Sequence, residues 1–176
     1  VDELLSLLVA RSLRTGDFVL RSGERADWYI DAKQTTLTAD GALACGRAFY
    51  KEVVRVGATA IGGMTMGADA PAVAAALVAA LWSQPLTAFS VRKEAKDHGQ
   101  GGRIVGPLQP SDKVLLVEDV TTTGGAFVEA LTVVRDFGCD VVGALAVLVR
   151  GDRPVDALAA EGVELRSLYS AADFGR

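Results

Sequence analysis

The chain has 176 residues, half of them apolar and 23% charged, with a formal net charge of −4 and one histidine. That length and apolar content suit a single globular domain with a full core. The acidic balance argues against a general nucleic-acid binder, and no apolar run is long enough to cross a bilayer or reads as a signal peptide.

In chain order, DELLSLLVARSL carries leucines at helical spacing, with Asp2 as its N-cap, and ends before Gly16. DFVLRSGERADWYIDA reads as two short strands around a Ser-Gly-Glu turn. ADGALACGRAFYKEVVRV is a helix closed by Gly57, and ATAIGG is a short strand. Asp69 and Pro71 stand where caps are favoured and open the alanine-rich helix that follows. LTAFSV is a strand, followed by a polar stretch of about fourteen residues without periodicity. KVLLV is a buried strand, AFVEALTVVRDFG a helix, DVVGALAVLV a strand; Pro154 opens a short helix and VELRSLY closes the sheet. Strands separated by helices imply right-handed crossovers, hence an α/β fold with a Rossmann-like, mostly parallel sheet flanked by helices. There is no internal repeat and no linker, so residues 1–176 are expected to form one domain, with about 1–35 as a small N-terminal hood. Cys45 and Cys139 stand far apart without metal-ligand spacing and are expected as buried free thiols in a reducing cytoplasm.

In parallel sheets ligands bind where strands end and loops feed the next helix. One such junction is VLLVEDVTTTGGA: an apolar run, then Glu118 and Asp119, then Val120, Thr121, Thr122, Thr123, Gly124, Gly125 and Ala126. Carboxylates at the exit of a buried strand are costly unless they bind something. The glycines let backbone amides approach a ligand, and the helix N-terminus behind them favours a phosphate. A phosphate cradle beside two acids fits a sugar phosphate whose hydroxyls face the acids. The bland alternative is an acidic strand end followed by a threonine N-cap. A second segment, SVRKEAKDHGQGG, gathers Arg92, Lys93, Lys96 and His98 among glycines, as suits a loop that closes over an anionic leaving group.

VLLVEDVTTTGG resembles the phosphoribosyl pyrophosphate signature of the type I phosphoribosyltransferases, and RKEAKDHG resembles the mobile catalytic loop of the orotate phosphoribosyltransferases among them. FVLRSGERADWYID and VLVRGDRP are similar to segments lining the orotate pocket of that family. The resemblance spans about residues 16–170 and implies transfer of ribose 5-phosphate from phosphoribosyl pyrophosphate to orotate, through an oxocarbenium-like transition state. It implies that the donor is bound by Arg92, Lys93, Lys96, His98 and residues 118–126, with Lys96, His98 and Asp119 catalytic. Orotate would meet Thr122, Arg150 and Arg21, an arginine suiting a carboxylate because it donates two parallel hydrogen bonds. Mg²⁺ would arrive on the pyrophosphate, with no site built from the protein alone, and the enzyme would be a homodimer in which Arg92 serves the neighbouring subunit. Nucleic acid and membrane are not expected as partners, and the length leaves no room for a fused decarboxylase. Departures from the family pattern are Arg21 where many relatives have lysine, Thr65 and Met66 where some carry a tyrosine-lysine pair, and Glu-Asp as the acid pair. A transferase for another base such as a purine, and a non-catalytic donor-sensing regulator, stay open as alternatives.

Overall fold

The computed structural model describes residues 2–19, 25–95 and 102–176. Helix α1 (Glu3–Arg11) is capped by Asp2, whose carboxylate accepts from the Leu5 N–H. It leads into a two-stranded antiparallel ribbon, β1 (Leu13–Val19) and β2 (Arg25–Ile30). The Ser-Gly-Glu turn expected between them lies outside the described residues.

After the four-residue helix α2 (Lys33–Thr36), α3 (Ala39–Val56) runs between Thr38, whose hydroxyl caps the Gly41 N–H, and Gly57. The elements that follow are β3 (Ala60–Met64), α4 (Asp69–Leu81), β4 (Thr87–Val91), β5 (Ile104–Val105), β6 (Lys113–Thr121), α5 (Gly125–Asp136), β7 (Asp140–Val149), α6 (Arg153–Ala160) and β8 (Leu165–Tyr169), then a 3₁₀ turn (Ala171–Phe174). The six-stranded sheet has the order β5-β4-β3-β6-β7-β8 and is parallel except for β5. The chain moves outward from β3 to β4, then returns to lay β6 on the other side of β3. This reversal of direction opens a crevice between the carboxyl ends of β3 and β6.

The core lies on both faces of the sheet. Val114, Leu115, Leu116 and Val117 of β6 are each at most 1% exposed, which explains why the central strand reads as an unbroken apolar run. Each such side chain contributes about 1.5–3 kcal/mol by leaving water. The N-terminal elements share one of these layers: Leu4, Leu8, Trp28 and Ile30 pack in the same cluster as Phe49, Leu115 and Val147. Tyr169 of β8 donates a hydrogen bond to Asp2 at 2.8 Å, fastening α1 to the sheet edge. No helix among the described residues is long and apolar enough to cross a membrane.

Several local expectations are corrected. β6 does not stop at Val117 but continues to Thr121, because β7 pairs with it as far as Thr121↔Val149. Asp69 does not cap α4. The N-cap is Ala68, and the Asp69 carboxylate instead accepts from the Thr65 and Ser90 hydroxyls, both at 2.7 Å. The polar stretch after β4 contains β5, too short to show a period, and α2 and the 3₁₀ turn had no sequence signal of their own.

Candidate active site

The paired residues of β3 and β6 end at Gly62↔Leu116, whereas β6 runs on beside β7. Its last residues therefore have a free flank, facing the loop that leaves β3. Strand alternation alone would send Glu118 and Asp119 to opposite faces, yet both carboxyls meet that loop at one residue. A Cβ placed on Gly67 would lie 1.7 Å from Glu118 Oε1 and 2.8 Å from Asp119 Oδ1, so only glycine leaves room for the acid pair. The peptide joining Thr65 to Met66 in this loop is cis.

The two acids line a cavity of about 640 Å³ together with Lys33, Met64, Thr65, Met66, Gly67, Lys93, Ala126 and Glu129. They are nearly enclosed, at 8% and 6% exposed, as their place within β6 requires. Burial first, then the charge of Asp119, pushes the Glu118 carboxyl up to about 8, with Lys33 pulling the other way. Asp119 is met by the Lys33 ammonium at 2.6 Å, and Lys33 also reaches Asp31 Oδ1 at 3.4 Å. Burial works against the charge on Lys33, but the contacts with Asp119 and Asp31 outweigh it and raise its pKa.

The turn after β6 is open: Thr122, Thr123 and Gly125 are exposed. It enters α5 through Gly124, which adopts φ 79° as N-cap with Pro154 packed against it, so the threonine cap considered from sequence is absent. The threonines act within the turn instead. Thr121 Oγ1 accepts from the Gly124 N–H at 3.2 Å and Thr123 Oγ1 from the Gly125 N–H at 3.4 Å. Among the described residues no acceptor meets the N–H groups of Thr122, Thr123 and Ala126. Unsatisfied donors at a helix N-terminus make an anion site.

Arg150 leaves β7 beside this turn, its N–H donating to the Thr121 carbonyl at 2.9 Å. Its guanidinium lies over the Trp28 ring, 4.2 Å from the centroid. Trp28 itself is 7% exposed and stacked on Phe174, a core residue and a support for Arg150. Tyr29 is 40% exposed and tilted against Phe18.

The stem of the basic segment is held at both ends. Arg92 N–H donates to the Arg103 carbonyl at 2.8 Å, Arg103 Nε returns a bond to the Arg92 carbonyl at 2.7 Å, and the Arg103 guanidinium pairs with Glu129 of α5. Lys93 joins the cavity; Lys96 and His98, like Arg21, lie outside the described residues. Among the described residues no three ligating side chains cluster as a metal centre.

A separate groove of about 560 Å³ between α1, α3 and β8 contains none of the motif residues, and its buried Glu52 is already paired with Arg55 and Arg166. The residue missed from the sequence is Lys33. Nothing local marks it, since its partner Asp119 is 86 positions away.

No protein-family model matches the chain. Curated relatives do. An orotate phosphoribosyltransferase of Rhodopirellula baltica is 38% identical over 98% of this chain and 92% of its own length. Among solved structures, the orotate phosphoribosyltransferase of Mycobacterium tuberculosis H37Rv with Fe(III) dicitrate superposes with a TM-score of 0.87 at 35% identity, covering 99% of this chain and 98% of that one. The same enzyme in complex with 5-phospho-α-D-ribosyl 1-diphosphate gives 0.83 at 31% identity, with the same coverage.

Proposed function

This chain belongs to the orotate phosphoribosyltransferase family, and from that premise we propose how it transfers ribose 5-phosphate from phosphoribosyl pyrophosphate to orotate, giving orotidine 5-monophosphate and pyrophosphate in pyrimidine biosynthesis. The observation that carries the reading is the meeting, at the crevice between β3 and β6, of an open anion-binding turn with an acid pair on the wall of a cavity that also holds lysines.

The 5-phosphate sits on the turn of residues 121–126, where the N–H groups of Thr122, Thr123 and Ala126 meet no acceptor among the described residues and the α5 N-terminus favours negative charge. The ribose hydroxyls face Asp119 and Glu118. Asp119 accepts from a hydroxyl, and Glu118, keeping its proton near neutral pH, both donates and accepts. As the bond to pyrophosphate loosens, the sugar becomes oxocarbenium-like, and the carboxylate of Asp119 beneath it stabilises that positive charge. Arg150 receives the orotate carboxylate, its plane held by the Trp28 ring, and Thr122 contacts the same ligand, with Arg21 as the further orotate residue that the family resemblance implies. The orotate ring nitrogen then attacks the anomeric carbon directly, without a covalent enzyme intermediate.

Arg92, Lys93, Lys96 and His98 neutralise the departing pyrophosphate. Mg²⁺ bound to the donor would add charge neutralisation there, and the hard carboxylate oxygens of the acid pair suit it as outer partners. The N-terminal segment acts as a hood over the cleft, bringing Lys33 to it.

The enzyme works as a homodimer in the cytoplasm, with Arg92 serving the neighbouring site. Supporting the dimer, α4 exposes an apolar stripe of Val73, Leu77, Leu81 and Trp82, at 53–74%, running away from the exposed Met66 at the cavity. Supporting the compartment, both cysteines are free thiols.

The test is spectrophotometric: protein, orotate, phosphoribosyl pyrophosphate and Mg²⁺ are mixed, and loss of orotate absorbance is followed. Steady loss dependent on both substrates is expected. A folded sample that leaves orotate untouched while consuming adenine or guanine would refute the acceptor assignment.

A further inference from the structure

The loop opposite the acid pair offers no cation. Thr65, Met66 and Gly67 face the cavity, and Met66 is 68% exposed. The donor is a polyanion and must settle beside Glu118 and Asp119, so the site has to offset the acids before the donor can approach them. The charged groups lining the space are Lys33, Lys93, Glu118, Asp119 and Glu129, and Glu129 is already paired with Arg103. Lys33 is therefore the one of the two lysines in direct contact with an acid of the pair. Its ammonium sits 2.6 Å from an Asp119 carboxylate that is 9% exposed, while its own side chain remains 36% exposed towards the cavity. Asp31, at 3.4 Å and itself bonded by Gln34, holds the ammonium from the other side.

We propose that Lys33 is a donor-binding residue of this site: held between Asp31 and Asp119, it screens the acid pair and presents its remaining N–H to the pyrophosphate of bound phosphoribosyl pyrophosphate. The inference rests on the donor reading given above. An ammonium has three N–H donors, two of which the carboxylates occupy, leaving one for a ligand oxygen. A cation fixed in the wall spares the donor from meeting an uncompensated charge in a partly buried place, where screening by solvent is weak. Because Lys33 is contributed by α2, the N-terminal segment takes part in donor binding as well as in covering the cleft.

The test is binding of phosphoribosyl pyrophosphate alone, by titration calorimetry, to wild type, Lys33→Met, Lys33→Gln and Lys33→Arg, with steady-state kinetics alongside. Lys33→Met is expected to weaken the donor by about 10- to 100-fold, as for a lost charge-assisted hydrogen bond, and to flatten the salt dependence of donor binding. Lys33→Gln, which keeps a hydrogen bond to Asp119 but no charge, gives a similar loss, whereas Lys33→Arg stays within about threefold of wild type. The orotate KM moves by less than about twofold in all three. Donor affinity at the wild-type level in either neutral variant overturns the proposal. So does an equal rise in both KM values, or full rescue by glutamine, which would mark a merely structural lysine. Wild-type protein that binds no phosphoribosyl pyrophosphate would instead refute the donor reading itself.

Discussion

Gly67→Ala tests the geometry of the acid pair more directly than removing either acid. Gly67 does not use the left-handed region, so its backbone accepts alanine, and the whole effect comes from the new methyl group. That methyl would stand 1.7 Å from Glu118 Oε1 and 2.8 Å from both Glu118 Cδ and Asp119 Oδ1. The Glu118 carboxyl must retreat by roughly 2 Å to regain ordinary contact. It is the far end of a flexible side chain, so the fold absorbs the shift at an off-rotamer cost of about 0.5–1.5 kcal/mol, which lowers Tm by about 1–6 °C for a chain of this size. The reaction is far less tolerant: a misplacement of about 1 Å can cost about 100-fold in rate, equivalent to about 2.7 kcal/mol. The expected result is therefore a near-native melting curve with kcat/KM for the donor down about 100-fold, read by orotate consumption. Adding Glu118→Asp, which withdraws the carboxyl by one methylene, should recover part of the loss, a coupling that a double-mutant cycle isolates. The reasoning fails if Gly67→Ala keeps activity within about threefold of wild type, or if the second substitution deepens the loss in proportion to its own effect.

Three further expectations follow from particular contacts. Burial beside Asp119 pushes the Glu118 carboxyl up to about 8 from 4.5 for the free side chain, so the native state holds the proton more tightly than the unfolded chain. Its contribution to stability is complete below 4.5 and fades as pH rises through about 8, by at most about 1.4 kcal/mol per pH unit. Glu118→Gln should flatten that decline in urea unfolding measured across the window, and an unchanged slope would show that the proton resides elsewhere. Arg150→Lys keeps a cation over Trp28 but loses the planar fork, so the orotate KM should rise about 10-fold or more while the donor KM moves little; equal rises would contradict the carboxylate role. Leu77 is 65% exposed on α4 and packs against nothing that the protomer's core needs. If the proposed dimer closes on this stripe, Leu77→Glu should leave the melting curve of the protomer intact and shift sedimentation from dimer to monomer, with loss of turnover; a dimer that persists would place the interface on another face.

The residues proposed to recognise the sugar donor stood out in the sequence because their chemistry is contiguous. An apolar run, two acids, three threonines and two glycines follow one another from Val114 to Gly125, and each type is demanded by its neighbour's role. Long elements were legible for a related reason: α3 and β7 fall on the residues expected because capping residues and apolar periodicity act over a few positions. Short elements carried no such signal, as β5 and α2 show with two and four residues. The length of β6 could not be read either, because a strand ends where its partners cease to pair, and β7 continues past the point at which β3 turns away. Asp69 illustrates the same limit. Its position fits a cap, but the Thr65 and Ser90 hydroxyls of neighbouring segments claim its carboxylate.

The sequence by itself therefore determined the parallel α/β architecture and marked the turn proposed to bind the donor, since both depend on patterns repeated or completed within a dozen residues. Tertiary structure alone decided that Gly67 faces both acids, that Lys33 pairs with Asp119 across 86 positions, and that burial beside Asp119 raises the Glu118 pKa. These are matters of distance and burial between segments remote along the chain. Local propensity carries no information about them, because the free energy of a charge depends on what the fold sets beside it and how much water it leaves there.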